Sequence, residues 1–169
     1  MASCADKERK LEIMSDSHIG SFAVIKLCLY LLLQTAMFAE MQSFKTAAAA
    51  SIGYILSRSL SGLAAVTFKC AKKDGALQSF AKPAHKKITV AVLIMTAALS
   101  AAAMLFTNII SGGLALLAAV LIFAYYRNWS YKNFGGITGD TEGWFLQICE
   151  LGMLIFAVVG EKIIGVAAL

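Results

Sequence analysis

Residues 88–126 have the sequence ITVAVLIMTAALSAAAMLFTNIISGGLALLAAVLIFAYY, which contains no charged side chain. A transmembrane helix needs about 20 consecutive apolar residues, so this stretch is long enough for two such helices and too long for one. Residues 108–113 in its middle, NIISGG, are typical of a tight helical hairpin. We therefore predict two antiparallel membrane-spanning helices here.

The composition of the whole chain agrees with a membrane protein. Of its 169 residues, 59% are hydrophobic and 15% charged, and the mean hydropathy is +0.74. A soluble domain usually has about 25% charged residues and cannot bury so much apolar surface in one core. This composition excludes a disordered chain and an ordinary soluble enzyme.

We predict an all-α fold, a polytopic integral membrane helix bundle with about five transmembrane helices in a single membrane domain, residues 1–169. The predicted spans and loops follow the apolar runs and the charged blocks between them. The spans are 19–39, 46–68, 88–107, 110–126 and 144–162, and the loops are 69–87 and 127–143.

The basic residues alternate between loops and so predict the orientation in the membrane. The N-terminal segment has three Lys and Arg residues, the 40–45 turn one, the 69–87 loop six, the 108–113 turn none and the 127–143 loop two. Positively charged loops stay on the cytoplasmic side. We therefore expect the N-terminus and both predicted loops in the cytoplasm and the C-terminus outside. Membrane orientation then accounts for the net charge of +5, and no basic face with stacking aromatics indicates a nucleic acid as partner.

The loop before the last span, residues 134–144, has the sequence FGGITGDTEGW. Glycines allow backbone amides to converge on an anion, and Thr138 or Asp140 can cap the following helix. An acidic side chain beside a phosphate could also hold its divalent cation. The alternative is a glycine-rich helix cap with Asp140 as an ordinary N-cap residue. We expect Glu142 to be a solvated loop charge.

The last span carries a polar stripe. Asp140, Gly143, Gln147 and Glu150 fall within about 80° of arc on a helix, and Glu150 lies about 15 Å along the axis from Asp140. A carboxylate at that depth needs a polar cavity or a partner. Two hypotheses follow: a functional wall of the bundle, or a structural ion pair with Arg58 or Lys26 as the partner.

Two further polar sites lie in or beside the spans. Arg58 is near the middle of its span among Ser57, Ser59 and Ser61, and an arginine there is suited to bidentate binding of carboxylate or phosphate. Residues 14–20, MSDSHIG, precede the first span and place Asp16 at its cytoplasmic end. Asp16 and Ser17 also fit a plain helix N-cap. Asp16, Asp140 and the lysine-rich loop are all predicted on one membrane face, which indicates an enzyme that acts on a phosphate or diphosphate.

Several of these segments resemble one family. Residues 134–143, FGGITGDTEG, with Glu150-Leu-Gly resemble the G-G-x-T-G-D-x-x-G…E signature of the cobalamin-5′-phosphate synthases, also called adenosylcobinamide-GDP ribazoletransferases. Residues 9–20, RKLEIMSDSHIG, resemble the family's R-x-L-x-I-M-K-D-S-R-I-G segment. Ser57-Arg58 and residues 71–75, AKKDG, fall where the family has an S-R pair and an A-R-P-x-G stretch. The matches occur in the family's order along the chain.

The resemblance implies a transferase of cobalamin (vitamin B12) biosynthesis in the bacterial inner membrane. It would transfer the phosphocobinamide moiety of adenosylcobinamide-GDP to α-ribazole or its 5′-phosphate, release GMP and use Mg²⁺. Further partners would be a homo-oligomer or other cobalamin-assembly enzymes. The roles assigned on this basis are catalysis by Asp140, Asp16 and Glu150, metal binding by Asp16 and Asp140, and substrate or phosphate binding by Gly135, Gly136, Thr138, Gly139, Arg58 and Ser17.

The chain also departs from the family pattern. Ser15 and His18 replace a Lys and an Arg, and the family's D-G-x-x-D-x-x-D-G motif would precede the first residues of this sequence. We therefore expect a shortened form, for which the alternative is a non-catalytic membrane remnant of the enzyme. A small transporter, with Glu150 and Arg58 lining a substrate path, is the other alternative, but the internal repeats it predicts are not visible.

Overall fold

A computed structural model of the chain describes residues 6–14, 18, 20–71 and 85–167. The helices are α1 (Lys7–Met14), α2 (Ser21–Glu40), α3 (Phe44–Thr67), α4 (Lys86–Thr107), α5 (Ile109–Phe134) and α6 (Gly139–Ala167). Helices α2 to α6 are long and apolar enough to cross a membrane. A helix satisfies its own backbone hydrogen bonds, which lipid cannot do for it. The predicted all-α membrane bundle is confirmed.

The hairpin between α4 and α5 is tighter than the sequence indicated. Only Asn108 separates the two helices, and its side chain accepts hydrogen bonds from the backbone N–H groups of Ile110 and Ser111, both at 3.0 Å. Such an N-cap satisfies donors that the first turn of a helix leaves free. The small residues that follow, Ser111 and Gly112, therefore belong to α5 and are buried.

The core lies between α3, α4, α5 and α6, and the most extensive helix contact joins α5 to α6. Small residues let these helices approach closely in a membrane, where apolar burial alone does not drive association. The buried residues of α5 and α6 in this core include Ala115, Ala119, Tyr126, Phe145, Cys149, Met153 and Ala157. By contrast, α2 contributes no buried residue and packs mainly against α6.

The predicted loop at 127–143 is wrong in its extent, because α5 continues to Phe134 and α6 already begins at Gly139. In this region, aromatic residues of α5 and α6 pack against each other. Trp129 stacks on Trp144 with 4.8 Å between ring centroids. Helix α5 ends at Gly135, which adopts the left-handed conformation (φ 74°) favoured at helix C-termini.

Three segments that are distant in sequence lie together at one end of the bundle. The Lys10 ammonium donates to the Asn133 side chain at 3.1 Å, which places α1 beside the end of α5. The residues after α3 pair with the loop before α6 through an isolated bridge between Cys70 and Ile137. The prediction that the N-terminal segment, the start of the 69–87 loop and the loop before the last span share one side is therefore confirmed. That this side is cytoplasmic stays a prediction.

Candidate functional site

The glycine loop before α6, residues 135–139, is docked on the backbone that leaves α3. Ala71 N–H donates to the Ile137 carbonyl and Ile137 N–H donates to the Lys69 carbonyl, both at 2.8 Å. The backbone of Gly136 lies so close to this segment that a Cβ atom would overlap the Lys69 carbonyl oxygen and the Ala71 nitrogen. Glycine is thus required at position 136 for close backbone approach.

The first turn of α6 is capped by two threonines. Thr141 N–H donates to Thr138 Oγ1 at 3.2 Å, and Thr138 N–H donates to Thr141 Oγ1 at 2.9 Å, a reciprocal arrangement like a capping box. Thr138 is therefore the capping residue, and the N-cap alternative for Asp140 is wrong. The docked loop and the cap occupy the amides of Ile137, Thr138 and Thr141. The first-turn amides of Gly139 and Asp140 have no hydrogen-bond partner among the described residues.

Asp140 is exposed on the first turn of α6, at the end of the bundle where α1 lies. Gly143 and Gln147 share its exposed side of the helix. A carboxylate at a helix N-terminus interacts favourably with the helix dipole. Asp140 is the acidic group of this loop that is open to a ligand.

Glu150 forms the predicted structural ion pair, with Arg58 and not Lys26 as partner. Arg58 Nη2 lies 3.5 Å from Glu150 Oε1, and the same oxygen accepts a hydrogen bond from Ser57 Oγ at 3.0 Å. The Glu150 side chain is 9% exposed, whereas that of Arg58 is 66% exposed. Glu150 is thus held by α3, and the Arg58 guanidinium keeps free donors. Catalysis by Glu150 and phosphate binding by Arg58 stay predictions.

Glu142 was wrongly expected to be a solvated loop charge, because it is buried at 6% exposure. Ser61 Oγ donates to its Oε2 at 2.5 Å, while its Oε1 is buried with no hydrogen-bond partner in the described residues. Ser57 and Ser61 are spaced i, i+4 on α3 and so face α6 together. This serine spacing is the sequence signal that could have indicated two serine–glutamate contacts between α3 and α6.

We expect Ser61→Ala to lower the free energy of unfolding by about 1–3 kcal/mol, because it removes a donor from a buried carboxylate. The measurement is thermal or denaturant unfolding of the purified protein in detergent. Ser59→Ala is the matched control, since Ser59 is also buried but donates to the Ile55 carbonyl of its own helix. Equal stabilities of the two variants would contradict the proposed contact between α3 and α6.

Part of the predicted site falls outside the described residues. Asp16 and Ser17 lie there, as do Lys72, Lys73 and Lys82 of the lysine-rich loop. Within the described ranges, no three His, Cys, Asp or Glu side chains are close enough together to hold a metal ion. The described residues therefore do not form a metal site by themselves, and Asp140 is the one predicted metal ligand whose position is known.

Residues 1–158 match the profile of the family described as Cobalamin-5-phosphate synthase. The chain belongs to the cobalamin-5-phosphate synthase family. Since the match extends through the glycine loop and most of α6, the docked loop and the Glu150 ion pair are features of a cobalamin-5-phosphate synthase chain.

Named relatives in this family are described as adenosylcobinamide-GDP ribazoletransferases. The protein from Lachnoclostridium phytofermentans is 37% identical over 164 residues, which cover 97% of this chain and 62% of the relative. The protein from Pseudomonas fluorescens is 32% identical over 151 residues, or 89% of this chain and 60% of the relative. The chain thus spans about three fifths of the length of these relatives. No solved structure matches it significantly.

Proposed function

We propose that this chain carries out the transfer of the phosphocobinamide moiety of adenosylcobinamide-GDP to α-ribazole or its 5′-phosphate. The products are adenosylcobalamin or its 5′-phosphate, and GMP. Membership of the cobalamin-5-phosphate synthase family supports this function, and the names of the relatives supply the substrates. Family membership does not favour the transporter alternative.

The observation that carries the proposal is the docking of the glycine loop on the segment after α3. The bridge between Cys70 and Ile137 places the start of the lysine-rich loop next to the N-terminus of α6. Asp140 and two free first-turn amides lie there, beside the end of α5 that α1 contacts. A helix N-terminus beside the start of a lysine-rich loop is suited to the phosphates of a nucleoside diphosphate group.

In the proposed reaction, a ribazole hydroxyl oxygen bonds to the cobinamide-side phosphorus of the diphosphate. The bond from that phosphorus to the bridging oxygen breaks, GMP leaves with the bridging oxygen, and the hydroxyl loses its proton. Phosphoryl transfer of this kind depends mainly on positioning and on the stabilisation of charge. The Gly139 and Asp140 amides are placed to orient the diphosphate, and Arg58 has free guanidinium donors for a second anionic group.

Magnesium is part of this proposal, with Asp16 and Asp140 as its ligands. Asp140 fits the role by chemistry, because an exposed carboxylate is a preferred Mg²⁺ ligand. A carboxylate and a diphosphate at the same helix end would also repel each other without a cation between them. A divalent cation bound there would supply charge neutralisation to the diphosphate.

The proposed setting is the bacterial inner membrane, with the glycine loop on the cytoplasmic side. The five apolar helices show a membrane protein, and the basic loops support this orientation. A homo-oligomer and other enzymes of cobalamin assembly are the proposed protein partners.

The direct test is release of GMP. Vesicles that contain the purified chain, adenosylcobinamide-GDP, α-ribazole and Mg²⁺ are expected to form GMP and the cobalamin product in equal amounts. Vesicles without the protein, and reactions with excess chelator in place of Mg²⁺, are the controls. Release of GMP no faster than in protein-free vesicles would contradict the proposed function of this chain.

A further inference from the structure

A cleft of about 420 Å³ opens between the N-terminal halves of α2 and α6. Its walls are mostly aliphatic, and Trp144 lies at the α6 side. Its polar lining residues are Lys26, Tyr30 and Gln147. Because α2 buries none of its residues and is apolar enough to cross a membrane, the cleft opens on the outer surface of the described helices.

The polar groups of this cleft favour an anion. Lys26, the Gln147 amide, the Tyr30 hydroxyl and the Trp144 indole N–H can all donate hydrogen bonds. Among the described residues, no carboxylate lines the cleft, and Lys26 forms no ion pair. The site therefore offers one cation and several donors above apolar walls.

A second groove at the other end of α2 differs in charge. It has a volume of about 660 Å³ and is lined by Met37 and by α6 residues including Lys162. The Lys162 ammonium is already neutralised by Glu40 at 2.8 Å. Of these two grooves, only the cleft at Lys26 presents a lysine without an ion-pair partner among the described residues.

The depth of Lys26 matches a lipid headgroup. It lies five residues into α2, or about 7.5 Å along the helix from Ser21. A lysine at this depth extends its ammonium toward the membrane surface while its methylene groups stay in the apolar layer. In a span that begins at Ser21, the ammonium would then reach the level of lipid phosphates, and an acyl chain could follow the aliphatic walls below it.

We infer that this cleft binds an anionic phospholipid, with the phosphate at Lys26 and an acyl chain between α2 and α6. The charge complementarity of Lys26 and the opening of the cleft toward lipid determine this choice of occupant. Gln147 of this cleft lies on the same side of α6 as Asp140. The inference does not rest on the proposed transferase function, because quenching by lipid is measured without the substrates of that reaction.

Trp144 provides a probe inside the cleft. The chain has two tryptophans, so a Trp129→Phe variant reports on Trp144 alone. This variant is reconstituted in phosphatidylcholine vesicles that contain brominated phosphatidylglycerol or, separately, brominated phosphatidylcholine. One cationic contact near the surface predicts that the quenching binding constant is about fivefold larger for phosphatidylglycerol. The protein with both tryptophans is measured in parallel, because Trp129 stacks on Trp144.

Lysine variants then test whether the preference for phosphatidylglycerol depends on Lys26. Lys26→Gln is expected to remove the preference for phosphatidylglycerol, and Lys26→Arg is expected to keep it. Lys162→Gln, the matched control at the paired lysine, is also expected to keep it. Lys26 is exposed, so circular dichroism should show the same helix content in all variants.

Three results would overturn the inference. Equal quenching by both lipids would show ordinary non-selective lipid contact, and a preference that survives Lys26→Gln would place the anion elsewhere. Loss of the preference on addition of inorganic phosphate or GMP, at an ionic strength matched with chloride, would show that the site takes a soluble phosphate and not a lipid.

Discussion

Gly136→Ala is expected to reduce GMP release by about 100-fold, because the new Cβ would displace the glycine loop from its backbone partners. The overlap is with the Lys69 carbonyl and the Ala71 backbone nitrogen, which cannot rotate away as a flexible side chain could. The loop must then move by a substantial part of an ångström. Asp140 and the free amides at the α6 N-terminus move with it. The measurement is the rate of GMP release from vesicles.

The same substitution should also lower the stability of the protein. Overpacking of this kind usually costs about 1–3 kcal/mol, which thermal unfolding in detergent would detect. Gly143→Ala is the matched control, since a Cβ at Gly143 would have no atom within 4 Å. Gly143 lies within α6, where alanine is favoured over glycine, so this variant should be at least as stable as the parent. A Gly136→Ala protein with parental rate and stability would show that the loop is not docked as described.

Asp140→Asn is expected to reduce GMP release by about 100- to 1000-fold, the loss typical when a group that stabilises developing charge is removed. Asparagine has nearly the same shape, so the capped first turn of α6 should be retained. The charge of the carboxylate, and with it the proposed Mg²⁺ ligand, is lost. If Asp140 binds the metal, the remaining activity of the variant should need a higher concentration of Mg²⁺ to reach half of its maximal rate.

The control for this variant is Glu8→Gln. Glu8 is an exposed acid on α1, which lies at the same end of the bundle, and its loss changes the net charge by the same amount. We expect parental activity from Glu8→Gln and unchanged unfolding temperatures from both variants. An Asp140→Asn protein with parental activity would remove Asp140 from the proposed site, while the family assignment would stand.

The polar contacts inside the membrane were predicted less well than the helices. The Glu150 ion pair was anticipated because a carboxylate at that depth requires a partner, and the i, i+10 distance from Asp140 fixed the depth. Glu142 was misjudged because it was assigned to the loop, whereas it lies in the first turn of α6 and is buried. Its burial comes from Ser61 on another helix, which local sequence does not specify.

The glycine loop was also predicted only in part from the sequence. Its composition indicated backbone turns and an anion site, but not that the Ile137 and Thr138 amides would form hydrogen bonds within the protein. Gly135 ends α5 in the left-handed conformation, whereas the need for glycine at position 136 arises from the approach of the segment after α3. Reciprocal capping by Thr138 and Thr141 further reduced the amides available for a ligand.

The number of spans and the α-helical class followed from the linear pattern of apolar residues, because in lipid each helix satisfies its backbone hydrogen bonds within its own segment. The family also followed from linear motifs. The partners of the buried polar groups depend instead on which helix faces meet. Contacts such as Ser61 with Glu142 and Lys69 with Ile137 join residues far apart in sequence, so they are determined by packing between helices, which local hydropathy does not encode.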